Sequence, residues 1–148
     1  MTMRCIAGIG EIAAGFDALI LDQFGVLHDG TSAYPQARHC VERLAAAGKR
    51  LVVLSNSGRR AAENRARLVA LGFRSADFHA VLTSGEVVWQ ALAGRSDAFH
   101  RALGSRCYVV SESGEEFFLA GRALQPTGSV DAADFVLVLG IEDRKSVV

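Results

Sequence analysis

Two polar residues, Asp22 and Ser55, directly follow short apolar segments of the sequence. The run Ala18–Leu21 ends at Asp22, and the run Leu51–Leu54 ends at Ser55. A carboxylate can attack phosphorus and form an aspartyl phosphate, and a hydroxyl can hydrogen-bond a phosphoryl oxygen. A simpler interpretation is also open, because Asp-x-x-Gly is ordinary turn chemistry and Ser55-Asn56-Ser57 could serve only as a cap and turn.

The segments that must position these residues are typical of a parallel sheet. Short runs that are apolar at every position indicate strands buried on both faces. Strands and helices alternate along the chain, which predicts an α/β fold with right-handed crossovers. The carboxyl ends of such strands share one edge, where open α/β sheets bind ligands. We therefore expect Asp22 and Ser55 to lie close together.

The hydrophobic pattern also predicts where the elements begin and end. Thr83 and Glu86 form a possible capping box, and Gly48, Gly72 and Gly94 are expected to end helices. A helix that starts near residue 58 would offer backbone N–H groups to an anion. We expect strands at 18–21, 51–54, 80–82, 107–110 and 135–139, and helices at 35–47, 59–71, 83–92, 97–103 and 115–120.

Composition excludes several classes of protein. Half of the 148 residues are hydrophobic, and 16 basic residues balance 16 acidic ones, so we expect neither nucleic-acid binding nor a basic membrane-facing patch. No apolar stretch reaches transmembrane length, and the first residues lack a signal-peptide core, so we expect a cytoplasmic location. The three cysteines are widely spaced and form no metal-ligand cluster.

The motifs become specific when they are read together. Asp22-Gln-Phe-Gly-Val-Leu27 resembles motif I of the haloacid dehalogenase-like (HAD) superfamily, and Leu54-Ser-Asn56 resembles its motif II. The segments 25–30, 55–59 and 82–86 resemble those of class IIA, NagD-type phosphatases, which carry an α/β cap after motif II. The resemblance implies an α/β fold in which residues 1–104 form the first part of a HAD-like core, with a Rossmann-like parallel sheet. The beginning of a C2-type cap would follow over residues 105–148.

The resemblance also implies roles for individual residues. Asp22 would be the nucleophile and a Mg²⁺ ligand, and the backbone carbonyl of Phe24 would be a second ligand. Ser55 would hydrogen-bond the transferring phosphoryl group, with Asn56 assisting. The implied function is Mg²⁺-dependent hydrolysis of a small phosphorylated metabolite through an aspartyl phosphate.

Position 24 departs from the family pattern. The second aspartate of motif I, which protonates the leaving oxygen and later activates water, is Phe24 here. General acid–base help is typically worth about 10²–10⁴ in rate, so we expect impaired hydrolysis. His28 and Asp29 are possible substitutes, but an ordinary loop is the simpler interpretation of both.

Further family features do not appear in the sequence. Neither Lys49 nor Lys145, the only lysines, matches the motif III lysine, and the motif IV acids are also missing. We expect a truncated chain, with a phosphate-binding pseudoenzyme or a non-functional fragment as the alternatives to an enzyme. Arg59 and Arg60 are expected to pair with Glu63, although they could instead face an anionic substrate.

Overall fold

The structure is a computed structural model that describes residues 5–111, 119 and 124–139. The chain divides into two compact units. The first comprises Met1–Ser55 and Asn64–Leu82, and the second comprises Asn56–Glu63 and Thr83–Val148. The predicted boundary at residue 104 falls inside the second unit and stays a prediction.

A three-stranded sheet contains both candidate residues' segments. Its strands are β1 (Ala18–Leu21), β2 (Arg50–Ser55) and β3 (Ala80–Thr83), in the order β1-β2-β3. β1 and β2 are parallel, with Leu21 opposite Val53. The predicted α/β fold with a parallel sheet is therefore confirmed.

Three helices belong to this part of the chain: α1 (Gly10–Ala13), α2 (Ala37–Ala46) and α3 (Ala61–Ala70). Gly48 (φ 76°) and Gly72 (φ 89°) follow α2 and α3 in the left-handed conformation that glycine favours, as predicted. α2 and α3 each begin two residues later than expected. At α2 the reason is Gln36, which is itself left-handed (φ 66°) and cannot belong to the helix.

The core of the first unit lies on one face of its sheet. Val41 and Leu44 of α2 and Leu68 of α3 pack in one cluster with the buried residues of the strands, among them Leu51 and Val53. Right-handed crossovers between strands that follow one another in a single direction place both helices on the same face, which explains this arrangement.

The opposite side of these strands is exposed. Ile20, Leu54 and Leu82 are 71%, 52% and 45% exposed. The expectation that the strands are buried on both faces is therefore wrong for the part of the chain that the structure describes. β2 and β3 instead bury alternate residues, and β1 alternates exposed with half-buried residues, as a sheet covered on one face does.

The second unit has its own parallel sheet. β4 (Arg106–Val110) lies between β5 (Gln125–Pro126) and β6 (Phe135–Val138). The strands at 107–110 and 135–139 are thus confirmed to within a residue. The helix predicted at 115–120 lies outside the described residues, Leu119 excepted.

Two helices precede this sheet, α4 (Ser84–Gly94) and α5 (Ala98–Ala102). The Thr83 hydroxyl accepts a hydrogen bond from the Glu86 N–H at 3.0 Å, so the predicted N-terminal cap is confirmed. α4 runs through Gly94, two residues beyond its predicted end, because Arg95 (φ 42°) takes the left-handed position that ends the helix. Within residues 5–111, 119 and 124–139, no helix is long and apolar enough to cross a membrane.

Candidate functional site

Asp22 and Ser55 lie at the same edge of the first sheet. Asp22 is the first residue after β1, and Ser55 is the last residue of β2. Since the two strands are parallel and Leu21 is opposite Val53, both residues lie at the carboxyl ends of their strands. Asp22 is exposed, Ser55 is buried, and Asp22 Oδ1 accepts a hydrogen bond from the Gln23 N–H at 2.6 Å. Both residues therefore lie at the carboxyl edge of the sheet, as predicted, and their joint role in binding a ligand stays a prediction.

Gln23 joins the two strand ends, and sequence reasoning missed it. Its side chain is only 4% exposed. Nε2 donates to Asn64 Oδ1 at 2.8 Å and to Ser55 Oγ at 3.4 Å. The residue after the candidate nucleophile is thus hydrogen-bonded to the candidate phosphate-binding hydroxyl and to helix α3. A single glutamine inside a motif carries no local signal that could have revealed this.

Phe24 occupies the position of the missing acid and is an exposed aromatic side chain. Its ring is 66% exposed and meets the His28 ring edge to face, with centroids 6.2 Å apart. A Cβ at Gly30 would lie 3.2 Å from Phe24 Cε2, so the ring also lies against that glycine. The phenyl ring cannot donate or accept a proton. The only polar groups that Phe24 offers are its backbone N–H and carbonyl.

His28 serves the loop and not the edge of the sheet. It is 2% exposed, and Nδ1 accepts a hydrogen bond from the Gly30 N–H at 2.9 Å, which places the ring proton on Nε2. Burial, and secondarily the charge of Arg67, lower the His28 pKa, so the ring is neutral near pH 7. Nε2 has no hydrogen-bond partner among the residues described. Such a buried ring cannot replace an exposed acid.

Asp29 is likewise committed to its own turn. Oδ1 accepts hydrogen bonds from the N–H groups of Thr31 (2.8 Å) and Ser32 (2.7 Å), and these bonds lower the Asp29 pKa. Arg67 fixes the next residue by donating to the Gly30 carbonyl at 2.6 Å. The interpretation of residues 28–30 as an ordinary, well-tied loop is supported, and neither side chain stands in for the missing acid.

In the second unit, a carboxylate of the protein itself is hydrogen-bonded to the N-terminal end of α3. Glu86 Oε2 accepts from the Ala61 N–H at 3.1 Å and from Arg60 Nε at 2.6 Å. Chiefly through the Arg60 hydrogen bond, the Glu86 pKa is lowered to about 2. The helix end that was expected to offer its N–H groups to a phosphate therefore has at least one of them bound to a protein anion.

Arg60 is also accounted for by this cluster. Its guanidinium pairs with Glu86 and stacks 3.3 Å from the centroid of the Trp89 ring. The expected pairing with Glu63 is wrong for Arg60, because Glu86 approaches from α4 and forms two hydrogen bonds with the guanidinium. Arg60 is thus held within the protein and is a poor candidate for contacting a substrate.

Asn56, the third candidate, follows Ser55 in sequence and belongs to the second unit. It is exposed and borders a cavity of about 180 Å³ whose walls include Gly58, Gly85, Val88 and Leu139. These mainly apolar walls do not favour phosphate. Any contribution of Asn56 to anion binding would therefore be made on the side away from this cavity.

The oxygen donors near Asp22 fit Mg²⁺ in kind but not in number. Mg²⁺ prefers about six oxygen ligands in octahedral geometry, and the candidates are the Asp22 carboxylate and the Phe24 carbonyl. The described segments contain no group of three or more His, Cys, Asp or Glu side chains that could hold a metal ion. A bound Mg²⁺ would complete its shell with water and with substrate oxygens.

Comparisons with known proteins agree with the motifs. The chain is 30% identical to human chronophin over 133 residues, which cover 86% of this chain and 43% of that protein. It is 35% identical to bovine chronophin over 96 residues, covering 62% and 32% of the two chains. The chain therefore spans less than half the length of the curated relatives it matches.

Solved structures show the same fold. A haloacid dehalogenase-like hydrolase from Brucella suis 1330 superimposes with a TM-score of 0.76 at 22% identity, covering 91% of this chain and 46% of that one. A hypothetical protein from Pyrococcus horikoshii OT3 gives a TM-score of 0.50 at 23% identity, covering 70% and 38%. The model of the haloacid dehalogenase-like hydrolase family matches residues 19–125, which include Asp22 and Ser55. The chain belongs to the haloacid dehalogenase-like hydrolase family.

Proposed function

We propose that the edge formed by Asp22 and Ser55 binds small phosphate esters with Mg²⁺ and is built for phosphatase chemistry. The observation that carries the proposal is the parallel pairing of β1 and β2, which brings the motif I carboxylate and the motif II hydroxyl to one edge. The hydrogen bond from Gln23 to Ser55 supports it, since that bond holds the two strand ends together. In this arrangement the exposed Asp22 carboxylate would attack a phosphoryl group that the Ser55 hydroxyl holds by a hydrogen bond.

The reaction would proceed in two displacements. A carboxylate oxygen of Asp22 attacks phosphorus, an aspartyl O–P bond forms, the ester P–O bond breaks, and the released alkoxide takes a proton from water. Water then attacks phosphorus and releases inorganic phosphate, which regenerates the carboxylate. Ser55 would donate its hydroxyl hydrogen to a phosphoryl oxygen, with Asn56 assisting. Mg²⁺, held by Asp22 and the Phe24 carbonyl, would offset the negative charge of the carboxylate and phosphate.

Turnover is proposed to be impaired at position 24. The Phe24 side chain can neither protonate the leaving oxygen nor activate water, and the buried His28 and the turn-bound Asp29 do not replace it. Without this acid–base help, we expect hydrolysis to be slower by a factor of about 10²–10⁴. The same observation favours a second candidate function, a protein that binds a phosphorylated ligand without hydrolysing it.

The substrate class and the cap are also proposals. The motifs favour class IIA with a C2-type cap that starts near residue 105, and a small phosphorylated metabolite as ligand. The Asp22 edge would bind the phosphate that is common to all ligands of this class.

The proposal is tested by the coupling between Mg²⁺ and phosphate. Inorganic phosphate is titrated into the protein with and without Mg²⁺ and followed by calorimetry. We expect Mg²⁺ to strengthen phosphate binding by about tenfold, within the usual range of coupling between two sites. Asp22→Asn should abolish this strengthening, because the carboxylate is the main protein ligand proposed for the metal. A phosphate affinity that changes neither with Mg²⁺ nor with this substitution would contradict the proposal.

A further inference from the structure

We propose that Gln23 is a positioning residue that orients the Ser55 hydroxyl toward a bound phosphate; this inference rests on the function proposed above. Gln23 lies between the candidate nucleophile and the missing acid, and its side chain is almost fully buried. It therefore cannot contact a substrate in the exposed part of the edge. Its influence must pass through the groups it hydrogen-bonds.

The hydrogen bonds of Gln23 constrain the Ser55 hydroxyl. A serine hydroxyl has one hydrogen to donate and two lone pairs that accept. Gln23 Nε2 donates to Ser55 Oγ, so it approaches a lone pair and directs the hydroxyl hydrogen away from the amide. A hydroxyl held in this way is a donor toward other neighbours, which is the role that an anionic phosphoryl oxygen requires.

Asn64 fixes which end of the Gln23 amide faces Ser55. Asn64 Oδ1 accepts from Nε2 at 2.8 Å, and Asn64 is 3% exposed, so the amide cannot rotate without losing a buried hydrogen bond. The backbone N–H of Gln23 donates at the same time to Asp22 Oδ1. One residue thus contacts both groups that the proposed reaction uses, through its backbone on one side and its side chain on the other.

Substitutions at Gln23, with a control elsewhere in the unit, distinguish an effect on the orientation of the Ser55 hydroxyl from a general loss of protein stability. Gln23→Met keeps a side chain of similar length but cannot donate. Gln23→Glu keeps the shape and, when ionised, only accepts, so it would take the Ser55 hydrogen for itself and add a negative charge near the anion. Val41→Ala removes buried apolar volume elsewhere in the same unit and serves as the stability control.

The experiment measures inorganic phosphate affinity at pH 7 with Mg²⁺, alongside urea unfolding of each variant. We expect Ser55→Ala to weaken binding about tenfold and Gln23→Met about three- to tenfold, as for loss of one charge-assisted hydrogen bond. Combining the two should weaken binding no further than Ser55→Ala alone, since Gln23 acts through that hydroxyl. Gln23→Glu should bind more weakly than Gln23→Met, and Val41→Ala should bind like the parent.

The possible outcomes are distinguishable. If Ser55→Ala weakens binding while both Gln23 variants bind like the parent, this inference is overturned and the proposed function stands. Additive effects of the two substitutions, or equal weakening by Val41→Ala, would also overturn it. If the parent binds no phosphate, the proposed function fails and this inference fails with it. Should Gln23→Met not fold, the comparison of Gln23→Glu with the parent and Ser55→Ala decides.

Discussion

The side-chain amide of Gln23 donates to Asn64 Oδ1 at 2.8 Å and so ties the residue after Asp22 to helix α3. Both partners are buried. Removing one partner of a buried hydrogen bond costs more than removing both, because a lone polar group stays desolvated. The strand end that presents Asp22 therefore depends on a polar contact inside the first unit.

A double-mutant cycle tests this contact. Gln23→Met and Asn64→Leu should each lower the free energy of unfolding by about 1–3 kcal/mol, and the double variant should lose less than the sum, with a coupling energy of about 1 kcal/mol. Urea unfolding of the four proteins measures the coupling. Strictly additive losses would mean that the two amides do not interact in solution.

The Glu86–Arg60 pair should make stability depend on pH. The Glu86 pKa is lowered in the folded protein to about 2 from an ordinary 4.5. A lowered carboxyl pKa stabilises the fold fully above the unfolded-state value, and this contribution is lost as the pH falls through the folded-state value. Glu86→Gln should therefore cost about 2 kcal/mol at pH 7 and progressively less from about pH 5 down to pH 2.

Urea unfolding of the parent and Glu86→Gln between pH 7 and pH 2.5 measures this difference. Glu63→Gln is the control, since Glu63 is the partner of Arg60 that the sequence suggested. We expect the control to cost less than about 1 kcal/mol, the range for a charge in the first turn of a helix. A larger loss for Glu63→Gln than for Glu86→Gln would contradict the pairing seen in the structure.

Two glycines of helix α4 make a matched pair. A Cβ at Gly85 would overlap the backbone carbonyl of Gly58, whereas a Cβ at Gly94 would meet nothing within 4 Å. Gly85→Ala should destabilise the second unit by more than about 2 kcal/mol. Gly94→Ala should be neutral or stabilising by up to about 1 kcal/mol, since alanine favours helix. Thermal unfolding of both variants checks the contrast, and equal behaviour would contradict the close approach at Gly85.

Because the core of the first unit covers one face of its sheet, substitutions on the two faces should affect the free energy of unfolding differently. Ile20 is 71% exposed and Val53 is fully buried, although both lie in strands and both are β-branched. Ile20→Thr should change the free energy of unfolding by less than about 0.5 kcal/mol, whereas Val53→Thr should cost about 1–3 kcal/mol by burying a hydroxyl. Chemical unfolding decides, and a cost for Ile20→Thr as large as for Val53→Thr would show that both faces are covered in solution.

The position of Asp22 and Ser55 at one edge of the sheet could be predicted from sequence because it depends on a general rule of chain geometry. Asp22 and Ser55 each end an apolar run, and parallel strands bring their carboxyl ends to one edge. The cap of α4 by Thr83 was equally readable, since the two partners are three residues apart. Local spacing sufficed wherever the interaction was local or was fixed by the sheet.

The rest depends on contacts between residues far apart in sequence. Glu86 was expected to reach back to Thr83, but its carboxylate binds Arg60, 26 positions away. The Gln23–Asn64 bond spans 41 positions. The exposure of Ile20 was missed because an apolar run does not reveal on which face the covering helices lie. Tertiary packing, which the local pattern does not encode, decided each of these.

In our account, Asp22 stands at a phosphate-binding edge where turnover is impaired for two reasons: Phe24 supplies no acid, and neither Lys49 nor Lys145 matches the motif III lysine. The most direct measurement is steady-state hydrolysis of an aryl phosphate with Mg²⁺, comparing the unmodified chain with Asp22→Asn and Phe24→Asp. We predict slow turnover by the unmodified chain, within about threefold of Asp22→Asn, and little gain from Phe24→Asp, because the aspartate alone does not supply the cation that neutralises a phosphoryl group. Robust turnover by the unmodified chain that disappears in Asp22→Asn would contradict the claim.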